Sequence, residues 1–247
     1  ILESFIKNPV LIDMLNCPLM YYGNAREGDM DFYQFVIMFK SVFVEGFAKP
    51  VGGMPYILQL FEEKFKQLGG ELRMGSGVTS INAENRTVES VTLENGEQLI
   101  AENIISSMGY VETLNHCTPT LKETEECETG QVSFMESLCV VDREPRDLGY
   151  DKSIVFFSTQ PRFDYKVPNE MINVTTGVLC CSNNFDYPEP MKEGLIRLTN
   201  LADFDQWDTL PRKDYIAAKK HWRNKALESV FTFFPDFRDN VLFLDSF

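Results

Sequence analysis

Apolar and polar positions recur with two different periods along this chain, and each change of period marks a new element. Over residues 57–68, Ile57, Leu58, Phe61, Phe65 and Leu68 share one side of a helical wheel, while Gln59, Glu62, Glu63, Lys66 and Gln67 fall elsewhere. That spacing predicts an amphipathic helix with one buried face. Met54-Pro55 suits its start, because proline lacks only an N–H that the first turn leaves unpaired, and Gly69-Gly70 supplies a left-handed stop. A short strand is expected next, at 71–74. Alternating positions then predict a strand from Val78 to Ile81 and a hairpin with arms 88–93 and 98–100. Its turn is Glu94-Asn95-Gly96-Glu97, where Asn-Gly fits the positive φ values of a type I′ turn. A further short strand, 103–107, runs into Ser106-Ser107-Met108-Gly109, small residues that bring backbone close to a ligand or to another segment.

Outside this central stretch the pattern is mixed. Residues 3–46 read as helical, with 13–15 and 32–47 the most periodic pieces. The second piece, rich in Phe, Val, Ile and Met, reads as a core helix or as the lining of an apolar cavity. From residue 131 the period shortens, and 132–141, 153–158 and 171–181 are β-rich, with turn chemistry at 143–147 and 161–168. The acidic run 122–128 reads as a solvated helix face or loop. Residues 214–231 form a second long amphipathic pattern, with Tyr215, Ala218, Trp222, Ala226 and Val230 on one side and Pro235 as its stop. No internal repeat is visible. The layout is that of one domain at 48–110, a second built from 1–47 and 111–240, and a strand at 241–247 returning towards the first.

Composition narrows the function classes. The chain has 247 residues, a net charge of −14 and a sequence pI near 4.6. Such a charge opposes nucleic-acid binding, which depends on cations neutralising phosphates, and it disfavours adsorption to anionic lipid. Six cysteines without CxxC spacing, beside only two histidines, give no metal-ligand pattern. His116-Cys117 is an isolated pair, and Cys139 and Cys180 lie in apolar runs as small core residues. A reducing, cytoplasmic setting follows from this cysteine usage. No apolar run approaches the ~20 residues of a spanning helix. The chain opens at Ile1 and closes in mid-strand at Phe247, so it is expected to be an interior piece of a longer protein.

Four places carry a family resemblance: Gly52-Gly53-Met54, Gly69-Gly70-Glu71-Leu72-Arg73, Val78-Thr79-Ser80-Ile81 and Ile104-Ile105-Ser106-Ser107. In these the sequence resembles the phytoene desaturase and carotenoid isomerase family, grouped with flavin amine oxidases and retinol saturases. Leu148-Gly149-Tyr150-Asp151, Phe163-Asp164-Tyr165, Asp186-Tyr187-Pro188, Trp207 and Phe234-Pro235 extend the resemblance more loosely over nearly the whole chain. It implies an α/β (α+β) fold: a partial FAD-binding, Rossmann-like domain at 48–110, interrupting a substrate domain of mixed or antiparallel sheet with helices. It also implies FAD as cofactor. Val78 is expected to meet the adenine through its backbone, Ser106, Ser107, Met108 and Gly109 the ADP portion, and Gly52-Gly53 the flavin and substrate cavity. No GxGxxG follows a strand here, and Gly75-Ser76-Gly77, joining two strands, is no substitute.

The function implied is oxidoreduction of an apolar polyene or isoprenoid by desaturation, saturation or isomerisation, with the flavin performing the redox chemistry. An amine-oxidase-like reaction, or a lipid-binding module without cofactor, is the alternative. Peripheral membrane contact is compatible with a lipid-soluble substrate, although no strongly basic amphipathic helix supports it. No side chain stands out as a general base; Glu45 and Asp186 are merely acidic groups near aromatics.

Overall fold

The computed structural model describes residues 1–22, 27–28, 30–46, 48–85, 87–121, 132–187 and 189–247. The acidic run 122–128, together with Phe47, Gln131 and Pro188, lies outside them. The described helices are α1 (Leu2–Phe5), α2 (Pro9–Tyr21), α3 (Phe32–Phe39), α4 (Gly53–Gln67), α5 (Tyr110–His116), α6 (Phe204–Asp208) and α7 (Arg212–Val230). The strands are β1 (Val78–Glu84), β2 (Thr87–Leu93), β3 (Gln98–Leu99), β4 (Cys117–Thr118), β5 (Ser133–Val141), β6 (Ile154–Ser158), β7 (Thr176–Cys181), β8 (Gly194–Ala202) and β9 (Val241–Ser246). The fold class is α/β in the α+β arrangement, with helices on mixed and antiparallel sheets. The chain forms two compact units: Ile1–Val51 with Gly130–Phe247, and Gly52–Thr129.

The larger unit is built on an antiparallel sheet of order β6-β7-β8-β5-β9. Strand β9, expected to return towards the other domain, instead pairs with β5, Leu244 opposite Cys139 and Ser246 opposite Ser137. The reason lies in its apolar side, where Leu244 packs against this unit's core. Strand β8, which the sequence pattern did not single out, is central in the sheet. Buried and less buried positions alternate from Gly194 to Asn200, but the polar Asn200 on the buried side and Leu195 on the other blur that alternation in the sequence.

One face of this sheet carries Met135, Cys139 and Val141 of β5 with Ile196 and Leu198 of β8, all buried. Helix α7 contributes Trp222, Ala226, Leu227 and Val230 to the same core, three of them from the stripe read from sequence. Gly177 of β7 makes room there: a Cβ would lie 2.9 Å from the Phe157 ring and 2.8 Å from the Thr199 carbonyl. Two stretches of the looser resemblance meet beside this core. The Tyr150 ring stacks on Phe234 with centroids 4.9 Å apart, and its hydroxyl donates to the Pro235 carbonyl at 2.6 Å.

The opposite face is covered at one end by α2. Asn8 caps that helix by accepting from the Val10 and Leu11 amides, and Pro9 occupies the first turn. The far end of α2 brings Tyr21 to 5.8 Å from the Phe134 ring, and its hydroxyl lies 3.0 Å from Thr176 Oγ1. Met20, Tyr165 and Leu201 form the small core here. Helix α3 continues as a π-helical segment, Lys40–Glu45. Neither segment buries a residue: Tyr33 is 79% and Val44 69% exposed. A core helix or the lining of an apolar cavity was expected over 32–47; among the described residues the segment is only half-buried, along a stripe of Gln34, Phe35, Met38 and Phe39.

The smaller unit holds a sheet of order β3-β2-β1-β4, antiparallel apart from the parallel pair β1–β4. The hairpin forms where expected, but its turn differs. Gly96 has φ 83° whereas Asn95 does not take a positive φ; its side chain instead accepts from the Glu97 amide at 2.9 Å. No strand forms at 71–74 or 103–107. A strand persists only with a ladder partner, and the described residues offer none beside these segments. Helix α4 spans the expected residues, yet its apolar stripe is not buried: Leu58 is 61%, Phe61 68% and Phe65 48% exposed.

Candidate functional site

The smaller unit carries a groove of about 540 Å³ lined by Ile81, Val88, Ile104, Ser106, Ser107, Gly109, Tyr110, Thr113 and Cys117. Its walls follow from local structure. Residues 101–109 are irregular backbone passing from the hairpin to α5, and Gly109 ends them with φ 113°. A side chain would be strained at that φ, and its Cβ would collide with the Glu112 carboxylate. The turn therefore needs glycine. Thr113, one turn into α5, donates from Oγ1 to the Gly109 carbonyl at 2.5 Å and lies 2.7 Å from Ser106 Oγ. The Cys117 thiol donates to the Thr113 carbonyl at 3.3 Å. A hydroxyl pair and open backbone thus face an apolar floor of Ile81 and Val88.

Of the residues expected to hold cofactor, Ser106, Ser107 and Gly109 are brought together here, with Met108 between them but outside the lining. Val78 opens β1 opposite Leu93, three residues before the groove residue Ile81. Gly52 and Gly53 form a separate turn, with φ 86° and 71°, at the start of α4; a Cβ on Gly52 would lie 3.1 Å from Tyr56 Cβ. Ile104, Thr113 and Cys117 complete the groove. Sequence reading missed them because they meet only once α5 turns back on β1 to place β4 beside it.

The larger unit offers a different surface. On the sheet face away from α7, β5 and β8 present Leu138 and Val140 beside Leu195, and β6 adds Ile154 and Phe156. These are half-buried. Within this apolar field, Arg197 Nε lies 3.5 Å from Glu136 Oε2, and Thr199 Oγ1 donates to Glu136 Oε1 at 3.0 Å. Tyr22 sits close by, its ring 5.7 Å from Phe156, and burial pushes its phenol above the ordinary value. Cys180 and Glu136 reinforce that rise, and Arg197 opposes it. Asp186 and Glu45, the acidic groups noted in the sequence, are not part of this cluster; Glu45 pairs with Lys40 at 3.0 Å. A second hollow of about 610 Å³ lies on the α7 side, with Trp207, Tyr215, Arg212 and Lys219 in its lining. Among the described residues no group of three or more His, Cys, Asp or Glu could hold a metal ion. No described helix is long and apolar enough to cross a membrane.

No protein-family model matches this chain, and no curated protein matches it. A solved structure does. The crystal structure of an oxidoreductase from Methanosarcina mazei is similar over 100% of this chain, with a TM-score of 0.65 and 17% sequence identity. The likeness takes in 54% of the Methanosarcina chain, so the present chain spans about half the length of the protein it matches. At that identity the likeness establishes a shared fold.

Proposed function

We propose that this chain is the middle part of an FAD-dependent oxidoreductase acting on an apolar polyene or isoprenoid substrate. The observation that carries the reading is the end-to-end fold likeness to a protein described as an oxidoreductase. The family resemblance in the Gly52-Gly53, Val78 and Ser106-Ser107 segments supplies the cofactor and the substrate class.

The groove of the smaller unit suits part of that cofactor. Its floor of Ile81 and Val88 offers an apolar surface to a ring, and Ser106, Ser107 and Thr113 offer hydroxyls to sugar oxygens. It has no phosphate cradle: the chain lacks GxGxxG, and the short α5 carries Glu112 in its first turn, a charge that opposes an anion. Under this proposal the pyrophosphate is held by a segment outside this chain. FAD, when bound, supplies the hydride or electron acceptor. This chain's own contribution is orientation and exclusion of water, by the open face of Leu138, Val140, Leu195, Ile154 and Phe156. Burying such a face against a polyene contributes roughly 25 cal/mol per Å² of apolar area removed from water. A peripheral membrane contact through the exposed apolar surface of α3 belongs to the same proposal, since a lipid-soluble substrate must be taken from lipid. Liposome flotation with and without Ile37→Glu checks it; Ile37 is 64% exposed.

The decisive experiment is to express the longer protein and record its visible spectrum. The two-band absorption of an oxidised flavin, bleached by dithionite and restored by air, is the expected result. Purified protein without flavin, still unable to take it up when FAD is added, would sink the reading in favour of a lipid-binding module. Product analysis on lycopene isomers and on simple amines then separates the polyene reaction from amine oxidation.

A further inference from the structure

Among the described residues, the open face of the five-stranded sheet is apolar around a single guanidinium. Arg197 stands in the central strand β8, opposite Leu138 of β5 and Cys180 of β7, with Leu195 two residues before it on the same face. An arginine placed there is no rim charge. Its long side chain keeps 47% exposure while its neighbours in the face are half-buried.

Its contact with Glu136 leaves most of the group unused. Glu136 is approached by Nε at 3.5 Å, and Glu136 is otherwise engaged by the Thr199 hydroxyl. Among the described residues neither Nη atom of Arg197 donates a hydrogen bond. An exposed pair at that distance adds little to stability, so the fold does not account for the residue. A guanidinium tethered at Nε and free along its Nη edge has the planar fork that receives a carboxylate with two parallel hydrogen bonds. Glu136, fixed from behind by Thr199, acts as a positioning residue for that fork. The other acid of this face, Asp245, is committed to Lys219 at 2.9 Å. Among the described residues of this face Arg197 is therefore the cation left for an incoming anion, and the side chains around it are apolar.

We propose that Arg197 binds the carboxylate of an amphipathic polyene or isoprenoid acid whose chain lies over Leu138, Val140, Leu195 and Ile154. The proposal rests on the reading of this face as the substrate surface, and it sharpens the substrate class from hydrocarbon to acid.

The test uses the longer protein as purified, with cis-parinaric acid, a fluorescent polyene acid, and its methyl ester as paired probes. The acid is expected to bind on the order of tenfold more tightly than the ester, as for one charge-assisted bidentate contact. Arg197→Gln is expected to erase that preference while leaving ester binding unchanged, and Arg197→Lys to retain part of it. Glu136→Gln is expected to weaken acid binding less than Arg197→Gln does. An unchanged flavin spectrum and melting temperature in each variant certify the fold. Equal binding of acid and ester by the wild type, or an acid preference that survives Arg197→Gln, would overturn the proposal. The flavin spectrum separates the two readings. Flavin-loaded protein without acid preference removes this inference alone, whereas flavin-free protein with an Arg197-dependent preference keeps it and removes the oxidoreductase.

Discussion

Asn200 shows how one polar residue can fix a sheet. It is 1% exposed in β8, and its Nδ2 donates to the carbonyls of Asn173 at 3.1 Å and Thr176 at 3.0 Å, tying the approach to β7 onto its neighbour. Asn200→Ala leaves those acceptors without this donor, and a loss of about 1–3 kcal/mol is expected in urea unfolding. The buried thiols give a pH signature. Burial pushes Cys139 and Cys181 from an ordinary 9.0 up to about 12, and Cys17 likewise, with Asp13 adding to the rise. A raised folded value means that the native state holds its protons more tightly than the unfolded chain does. The stability this contributes is complete below 9.0 and is lost as pH rises from there through about 12. Unfolding midpoints measured at rising alkaline pH should fall over this window, and Cys139→Ala should flatten the fall. Asp13 behaves oppositely: hydrogen bonds from Arg162 hold its carboxyl below 3.8, so its contribution is present at neutral pH and is lost on acidification below that value.

Helices α4 and α7 have similar apolar stripes in sequence and opposite fates in the structure. Trp222 of α7 is 9% exposed within the main core, and Trp222→Ala is expected to cost about 3–5 kcal/mol. Phe61 of α4 is 68% exposed. Phe61→Ser in this chain alone should change stability by no more than about 0.5 kcal/mol. In a longer form of the protein that covers α4, the same substitution should destabilise by several times that amount. Urea titration of both forms checks the contrast, and equal small effects in the two would count against a covered α4. The missing strands at 71–74 and 103–107 belong with α4. Their residues favour extended structure, but a ladder is a property of two segments and the described residues provide only one.

The two units differ in how much apolar surface they bury. The smaller one buries Ile81, Leu93 and Cys117, while the larger has two clusters that include Tyr150, Leu179, Leu198 and Phe237. A small core supports a marginal unit, so chemical unfolding should not be two-state. Both tryptophans, Trp207 and Trp222, lie in the larger unit. Tryptophan fluorescence should therefore report a later midpoint than far-UV circular dichroism, which sees both units. Coincident curves would show a single cooperative transition and contradict the expected order.

Much of this was legible in the order of residues, because period and turn chemistry are local. The α4 and α7 stripes, the hairpin at Gly96 and the strands at 78–84, 133–141 and 154–158 follow from side-chain spacing and from where glycine and proline sit. The choice of Ser106, Ser107 and Gly109 came from the family resemblance; the three share one groove, with no strand before them. Whether an apolar stripe is buried was not legible, since burial depends on which distant segment arrives to cover it. The pairing of β9 with β5, the central place of β8 and the meeting of Thr113 and Cys117 with Ser106 and Ile81 are long-range contacts of the same kind. The Arg197–Glu136 pair is the sharpest case. Nothing in a list of charged residues separates it from the rest until the sheet register places it amid apolar side chains.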